Sequence, residues 1–234
     1  MRHVMTLVDR IALFEPLDFC ALGLLFFLWI AVGFRVEHPS AKHVSTSMLM
    51  AGYRQEWMRQ MVTREPRIFD AHVLGTLRQG TAFFASTSVI AIGGTLAVIG
   101  NAERLAGVAS DITLTDHPTI VWELKLMVLT LFLTNAFLKF VWANRLFGYC
   151  SVLMGAVPND PNHADAYVQA EKAAQINITG AKSFNRGLRS LYFALAAAAW
   201  LAGPVALMFA SICTVVVIWR REFASYSRKI LLAT

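Results

Sequence analysis

The chain is short of charge. Aspartate, glutamate, lysine and arginine make up 15% of its 234 residues, against about 25% in an ordinary soluble domain. Hydrophobic residues make up 56%, and mean hydropathy is +0.52, so apolar side chains take the place of the missing charge. That balance argues against a soluble domain and for an integral membrane protein, and the length suits a single membrane domain over residues 1–234. Cysteine is scarce too. Cys20, Cys150 and Cys213 lie far apart in or near apolar segments, and no Cys-x-x-Cys occurs, so neither a disulfide framework nor a thiolate metal site is indicated. His3, His38, His43, His72, His117 and His163 are scattered over termini and loops, none within an apolar run and none in a His-x-x-x-His pair. Metal and haem ligands must converge, so no metal and no cofactor is expected. Gly-x-Ser-x-Gly, His-Glu-x-x-His and glycine-rich phosphate loops are all missing, and the expectation is a protein that is not an enzyme. There is no internal repeat and no low-complexity segment. The net charge of +6 is modest. Its basic residues read as topology signals rather than as contacts to nucleic acid, which is not an expected partner.

What the chain does have is apolar runs of bilayer length. Residues 1–15 carry apolar side chains at helical spacing and suggest a short interfacial helix. Leu17 to Phe34 is the first run, read as an uncleaved transmembrane helix over about 17–34. A signal peptide is the competing reading, set aside because the leader is long, acidic residues precede the run and no small-x-small cleavage site follows it. Met50, Tyr53, Trp57 and Met61 then recur at three-to-four spacing, with Arg54, Glu56 and Arg59 off that face, which predicts an amphipathic helical segment within 45–80. From Arg67 the next helix meets no strong breaker until Gly93-Gly94, and its apolar part is 81–100. About 34 residues at 1.5 Å each give roughly 50 Å, so this helix projects beyond a ~30 Å hydrocarbon core. Ser86, Thr87, Ser88 and Thr95 offer bonds across helices, and Gly93-Gly94 offers close approach.

After a polar connection over 101–117, Thr115 or Asp116 is placed to cap a third helix with Pro118 in its first turn. This helix, about 120–143, is the expected centre of the protein. Its core from Leu126 to Phe140 is apolar, yet Glu123, Lys125, Asn135 and Lys139 lie in or beside it and Arg145 follows. At 100° per residue Lys125, Asn135, Lys139 and Trp142 share one stripe, while Glu123, Thr130, Thr134 and Arg145 share another. Ionisable groups in hydrocarbon are costly and normally face other helices or water. Such residues either bond helix to helix or border an ion or solute path. Beyond the loop Pro158–Asn162, a helix from Ala164 is expected to run unbroken through 164–190 into the last apolar segment, about 191–219, kinked at Pro204. Gly180 and Gly187, seven apart, mark a face for close packing. Lys182, Asn185, Arg186 and Arg189 share the other side.

Four spanning helices divide the basic residues between two sides. The first and third loops hold twelve lysines and arginines; the termini and second loop hold seven. The positive-inside rule puts both long loops in the cytoplasm and both termini outside. The expected fold is therefore all-α, an integral membrane four-helix bundle whose long helices project into a cytoplasmic helical region.

Four segments in order carry a resemblance: Arg64-Glu-Pro-Arg-Ile68, Trp122-Glu-Leu-Lys-Leu126, Phe137-Leu-Lys-Phe-Val-Trp-Ala-Asn-Arg145 and Phe184-Asn-Arg-Gly-Leu-Arg189. Together they resemble the membrane proteins grouped as domain-of-unknown-function family 599, from the first membrane helix to the fourth. The resemblance implies a four-helix integral membrane protein of bacterial type and supplies no activity.

Two groups of residues then stand as functional candidates. Glu123, Lys125, Asn135, Lys139 and Arg145 are candidates for an ion or solute path. Glu65, Arg67, Asp70, Asn185, Arg186 and Arg189 form a cytoplasmic polar network, in which Glu65 or Asp70 would pair with Arg186 or Arg189. That network either fixes the register of the projecting helices or forms a basic vestibule for an anionic solute or lipid headgroup. The first functional expectation is an oligomeric inner-membrane protein forming a path for a small ion or anionic solute. The alternative is a non-catalytic accessory subunit docked on a larger membrane complex. A lipid-headgroup enzyme using Glu123 is a third.

Overall fold

A computed structural model describes residues 13–40, 43–104, 107 and 118–233. The interfacial helix expected at the N-terminus and the cap expected at Thr115 or Asp116 fall largely or wholly outside these residues. Among them all regular structure is helical: α1 (Pro16–Glu37), α2 (Thr46–Met61), α3 (Ile68–Ile99), α4 (Thr119–Ala156), α5 (Ala166–Ala198), a 3-10 turn (Ala199–Ala202), α6 (Pro204–Phe223) and α7 (Tyr226–Leu232). Four stretches among the described residues are long and apolar enough to cross a membrane: α1, α3, α4 and Pro204–Leu232. The 32 residues of α3 and 38 of α4 span roughly 48 and 57 Å at 1.5 Å per residue, so both outrun a bilayer core of ~30 Å. The sequence required this of α3, whereas α4 continues to Ala156, well past the expected end near 143.

The fourth span begins later than its sequence suggested. Instead of a kinked helix from Ala164 to Trp219, α5 stops at Ala198 and tightens into a 3-10 turn. Gly203 then takes φ 118°, with its N–H bonded to the Trp200 carbonyl. A proline lacks the N–H that continues a helix, and its ring clashes with the carbonyl four residues back. The glycine next to it can adopt a positive φ that other residues avoid. Together they end one helix and start another, with Pro204 in the favoured first position.

The chain folds as two compact units, each assembled from three separate stretches. Unit 1 comprises Met1–Gly33, Ser88–Asn135 and Arg189–Ile218; unit 2 comprises Phe34–Thr87, Ala136–Leu188 and Trp219–Thr234. In unit 1, Phe132 is fully buried, stacked on Phe26 with ring centroids 5.4 Å apart and edge-on to Trp29 at 5.2 Å. Thr130 donates to Thr95 Oγ1 at 3.1 Å, tying α4 to α3 as the polar positions of α3 suggested. Gly93 and Gly94 do not serve close approach: a Cβ on either would meet nothing within 4 Å.

In unit 2 the buried core joins Met58 and Met61 of α2, Leu74 of α3, Ala143, Phe147 and Cys150 of α4, and Ala166, Ala170 and Ala173 of α5. Thus 66–80 and 164–190 pack around one core. The inward face of α2 is rotated from the one its methionines and aromatics suggested. Met50 and Tyr53 are exposed, whereas Met58 is buried and Arg54 turns inward to Asn177. Gly180 and Gly187 behave as their spacing implied: a Cβ would lie 3.0 Å from the Phe147 ring and 2.6 Å from the Phe140 ring respectively.

Candidate functional site

The charges of α4 are treated in two different ways. In unit 1, Lys125 is buried, with its ammonium 5.3 Å from the Trp122 ring centroid and 5.7 Å from that of Trp200. A cation over the face of a tryptophan is stabilised by the ring quadrupole, by about 2 kcal/mol when desolvated. Trp200 in turn donates its indole N–H to Asp18 Oδ1 at 2.6 Å, and the backbone N–H of Glu15 donates to Asp18 Oδ2 at 3.2 Å. Lys125, Trp200 and Asp18 thus form one buried cluster. Ten residues further along α4, Asn135 donates to Ser190 Oγ at 2.6 Å. Glu123 is half-buried, and its carboxylate has no hydrogen-bond or ion-pair partner among the described residues.

In unit 2, the Lys139 backbone carbonyl accepts from Ser183 Oγ at 2.9 Å, while its half-buried ammonium has no hydrogen-bond or ion-pair partner among the described residues. Arg145 is exposed and folds onto its own helix, with Nε donating to the Tyr149 hydroxyl at 2.5 Å and the guanidinium 5.5 Å from the Tyr149 ring centroid. The five path candidates therefore do not form one group.

The polar network is paired differently from its expected form. Asp70 is fully buried and accepts from Trp57 Nε1 at 2.7 Å and from Arg64, with which it forms an ion pair. Arg186 grips Glu37 with both arms, Nε to Oε1 at 2.7 Å and Nη2 to Oε2 at 2.5 Å, and Lys182 Nζ stands 3.2 Å from Glu37 Oε2. The Glu37 hydrogen bond holds the Arg186 guanidinium above its ordinary pKa. So Asp70 answers Arg64, a neighbour in sequence, and Arg186 answers the end of α1. Glu65 is exposed. Arg67 donates to the carbonyls of Val157 at 2.7 Å and Pro158 at 2.8 Å, just past the end of α4, where a helix leaves carbonyls without partners. Asn185 donates to Ser47 Oγ at 3.3 Å, and Arg189 is buried.

Several participants are not evident from the sequence. Asp18 is visible there as an acid at the head of an apolar run, a position that asks for a partner. Glu37, Arg54, Asn177, Trp200 and Glu222 give less away, since each becomes polar machinery only through its neighbour. Among the described residues no three His, Cys, Asp or Glu side chains converge as a metal site would require. His3 and His117 lie outside those residues.

Among the described residues, four stretches of membrane-crossing length and composition, with all regular structure helical, are those of a membrane protein. Residues 20–227 match the model of a family described as protein of unknown function, DUF599, and the chain belongs to that family. No curated protein and no solved structure matches it.

Proposed function

We propose that the protein is a non-catalytic inner-membrane protein that assembles into an oligomer, in which α4 borders a path for a small ion or anionic solute. One observation carries this reading. Glu123 and Lys139 stand half-buried on a helix able to cross a membrane, and neither side chain has a partner among the described residues. A charge at the centre of a lipid-facing helix costs about 3 kcal/mol even on the mildest scales. Water, a passing solute or another subunit would remove that cost. Lys125 and Asn135 have local partners in this reading and set helix packing, and Arg145 is held by Tyr149. The path then rests on Glu123 and Lys139.

The expected result for Lys139→Ala, reconstituted in liposomes, is loss of solute flux with an unchanged oligomer mass in detergent. Unchanged flux would remove Lys139 from the mechanism. The second reading, an accessory subunit on a larger membrane complex, is favoured by α3. Almost none of its apolar stretch is buried within the chain, and Phe83, Ile90 and Leu96 are exposed. The mass of the complex extracted from native membrane in mild detergent separates the two. Three or more copies of this chain support the path. Recovery in fixed ratio with other chains supports the accessory role, and Lys139→Ala would then weaken co-purification.

A further inference from the structure

We propose that unit 2 contains a binding site for a small amphipathic anion, a carboxylate or phosphate head on a short apolar body, with Arg54 receiving the head. The site is a cavity of about 440 Å³ lined by residues of α2, α3, α4, α5 and α6 that all belong to unit 2. That volume is in the range of small-molecule pockets, about 300–1,000 Å³. Arg54 lines it and, among the described residues, gives one hydrogen bond, from Nη1 to Asn177 Oδ1 at 2.5 Å. A guanidinium has five N–H donors, so most of its capacity remains. Among the described residues no carboxylate forms an ion pair with Arg54. Its burial depresses the pKa, because a desolvated cation is disfavoured.

The one carboxylate in the lining is already engaged. Glu222 accepts from the Ser47 backbone N–H at 3.0 Å and from Ser47 Oγ at 2.8 Å. To reach Arg54 it would forfeit both bonds. A half-buried charge without a counter-charge favours an anion beside it, and an incoming anion supplies it. Leu77, Phe147 and Phe184 form the apolar part of the same wall, which suits a ligand with an apolar body. Gly80 also lines the cavity, and a Cβ there would meet nothing within 4 Å. The site uses neither Glu123 nor Lys139 and does not depend on the proposed path.

The test uses the full chain in neutral detergent and in nanodiscs, with octanoate, inorganic phosphate and phosphatidylglycerol as probes. Octanoate is expected to raise the Tm of the wild-type protein and to bind at least tenfold more tightly than inorganic phosphate. Arg54→Gln, which removes the charge and keeps a polar side chain, is expected to weaken octanoate binding at least tenfold. Gly80→Leu fills the cavity from a position with room for it. It is expected to leave the ligand-free Tm at or above wild type and also to abolish octanoate binding. If octanoate is silent but phosphatidylglycerol nanodiscs stabilise the wild type and neither variant, the site is supported and its anion is a lipid headgroup. Inorganic phosphate binding as tightly as octanoate would overturn the amphipathic assignment. Stabilisation by neither octanoate nor phosphatidylglycerol would overturn the site, as would equal binding by wild type and Gly80→Leu.

Discussion

Asp18→Ala is expected to destabilise the protein by about 3 kcal/mol, read as a lowered Tm in detergent. The figure combines two losses. The indole N–H of Trp200 loses its acceptor in a buried site, and an unpaired buried donor costs about 1–3 kcal/mol. Lys125, buried against the same indole, loses a nearby anion, and an uncompensated buried charge is the larger penalty in such clusters. Asp18→Asn separates the two, since the amide oxygen can still accept from Trp200 while the charge is gone. If Asn costs nearly as much as Ala, the charge dominates; if Asn restores most of the stability, the hydrogen bond does. A loss under about 1 kcal/mol for Asp18→Ala would mean that the cluster does not hold Trp200 and Lys125 in place.

The second large effect is at Gly187. A Cβ there would stand 2.6 Å from the Phe140 ring, closer than real Cβ contacts allow. Phe140 has nowhere to retreat: it is fully buried, stacked on Phe84 at 5.3 Å and tilted against Phe184 at 5.4 Å. Gly187→Ala is therefore expected to destabilise by about 1–3 kcal/mol through overpacking, although alanine is the better helix former. Gly94→Ala is the control. Its Cβ enters open space on α3, so only the helix-propensity gain of about 0.5–1 kcal/mol should register. Opposite signs at the two sites would confirm that the glycines play different parts. A neutral Gly187→Ala would mean that α4 and α5 are not in contact there.

Much of the architecture is legible in the sequence because it depends on sums along the chain. Apolar length alone places α1, α3 and α4, since a bilayer core demands a set number of helical residues. Heptad spacing alone puts Gly180 and Gly187 on one face. The break at Pro204 is harder to read. Proline signals a kink or a stop equally, and Gly203 settles which by taking a positive φ. The inward face of α2 misleads because Met50 and Tyr53 look like core residues in sequence but are exposed, while Arg54 looks like surface and is drawn in by Asn177. Long basic side chains are ambiguous in this way, being apolar along the stem and charged at the tip.

The polar sites are the least legible. Helical arithmetic puts Lys125, Asn135 and Lys139 on one stripe of α4, yet Lys125 meets two tryptophans, Asn135 meets Ser190, and the Lys139 ammonium meets no partner among the described residues. A stripe states a direction; what stands in that direction belongs to another helix. Arg186 could answer Glu65, Asp70 or Glu37 by charge alone, and only Glu37 lies within reach of both its arms. Composition and period are enough to dictate that the chain is helical, that it has four apolar stretches of bilayer length and that Gly180 and Gly187 share one face, because those properties are local or additive. The partners of Lys125, Arg186 and Arg54, and with them the cavity around Arg54, follow from the packing of the helices. Attraction between charges acts over distances that the fold sets, and Arg186 and Glu37 are 149 positions apart in the chain.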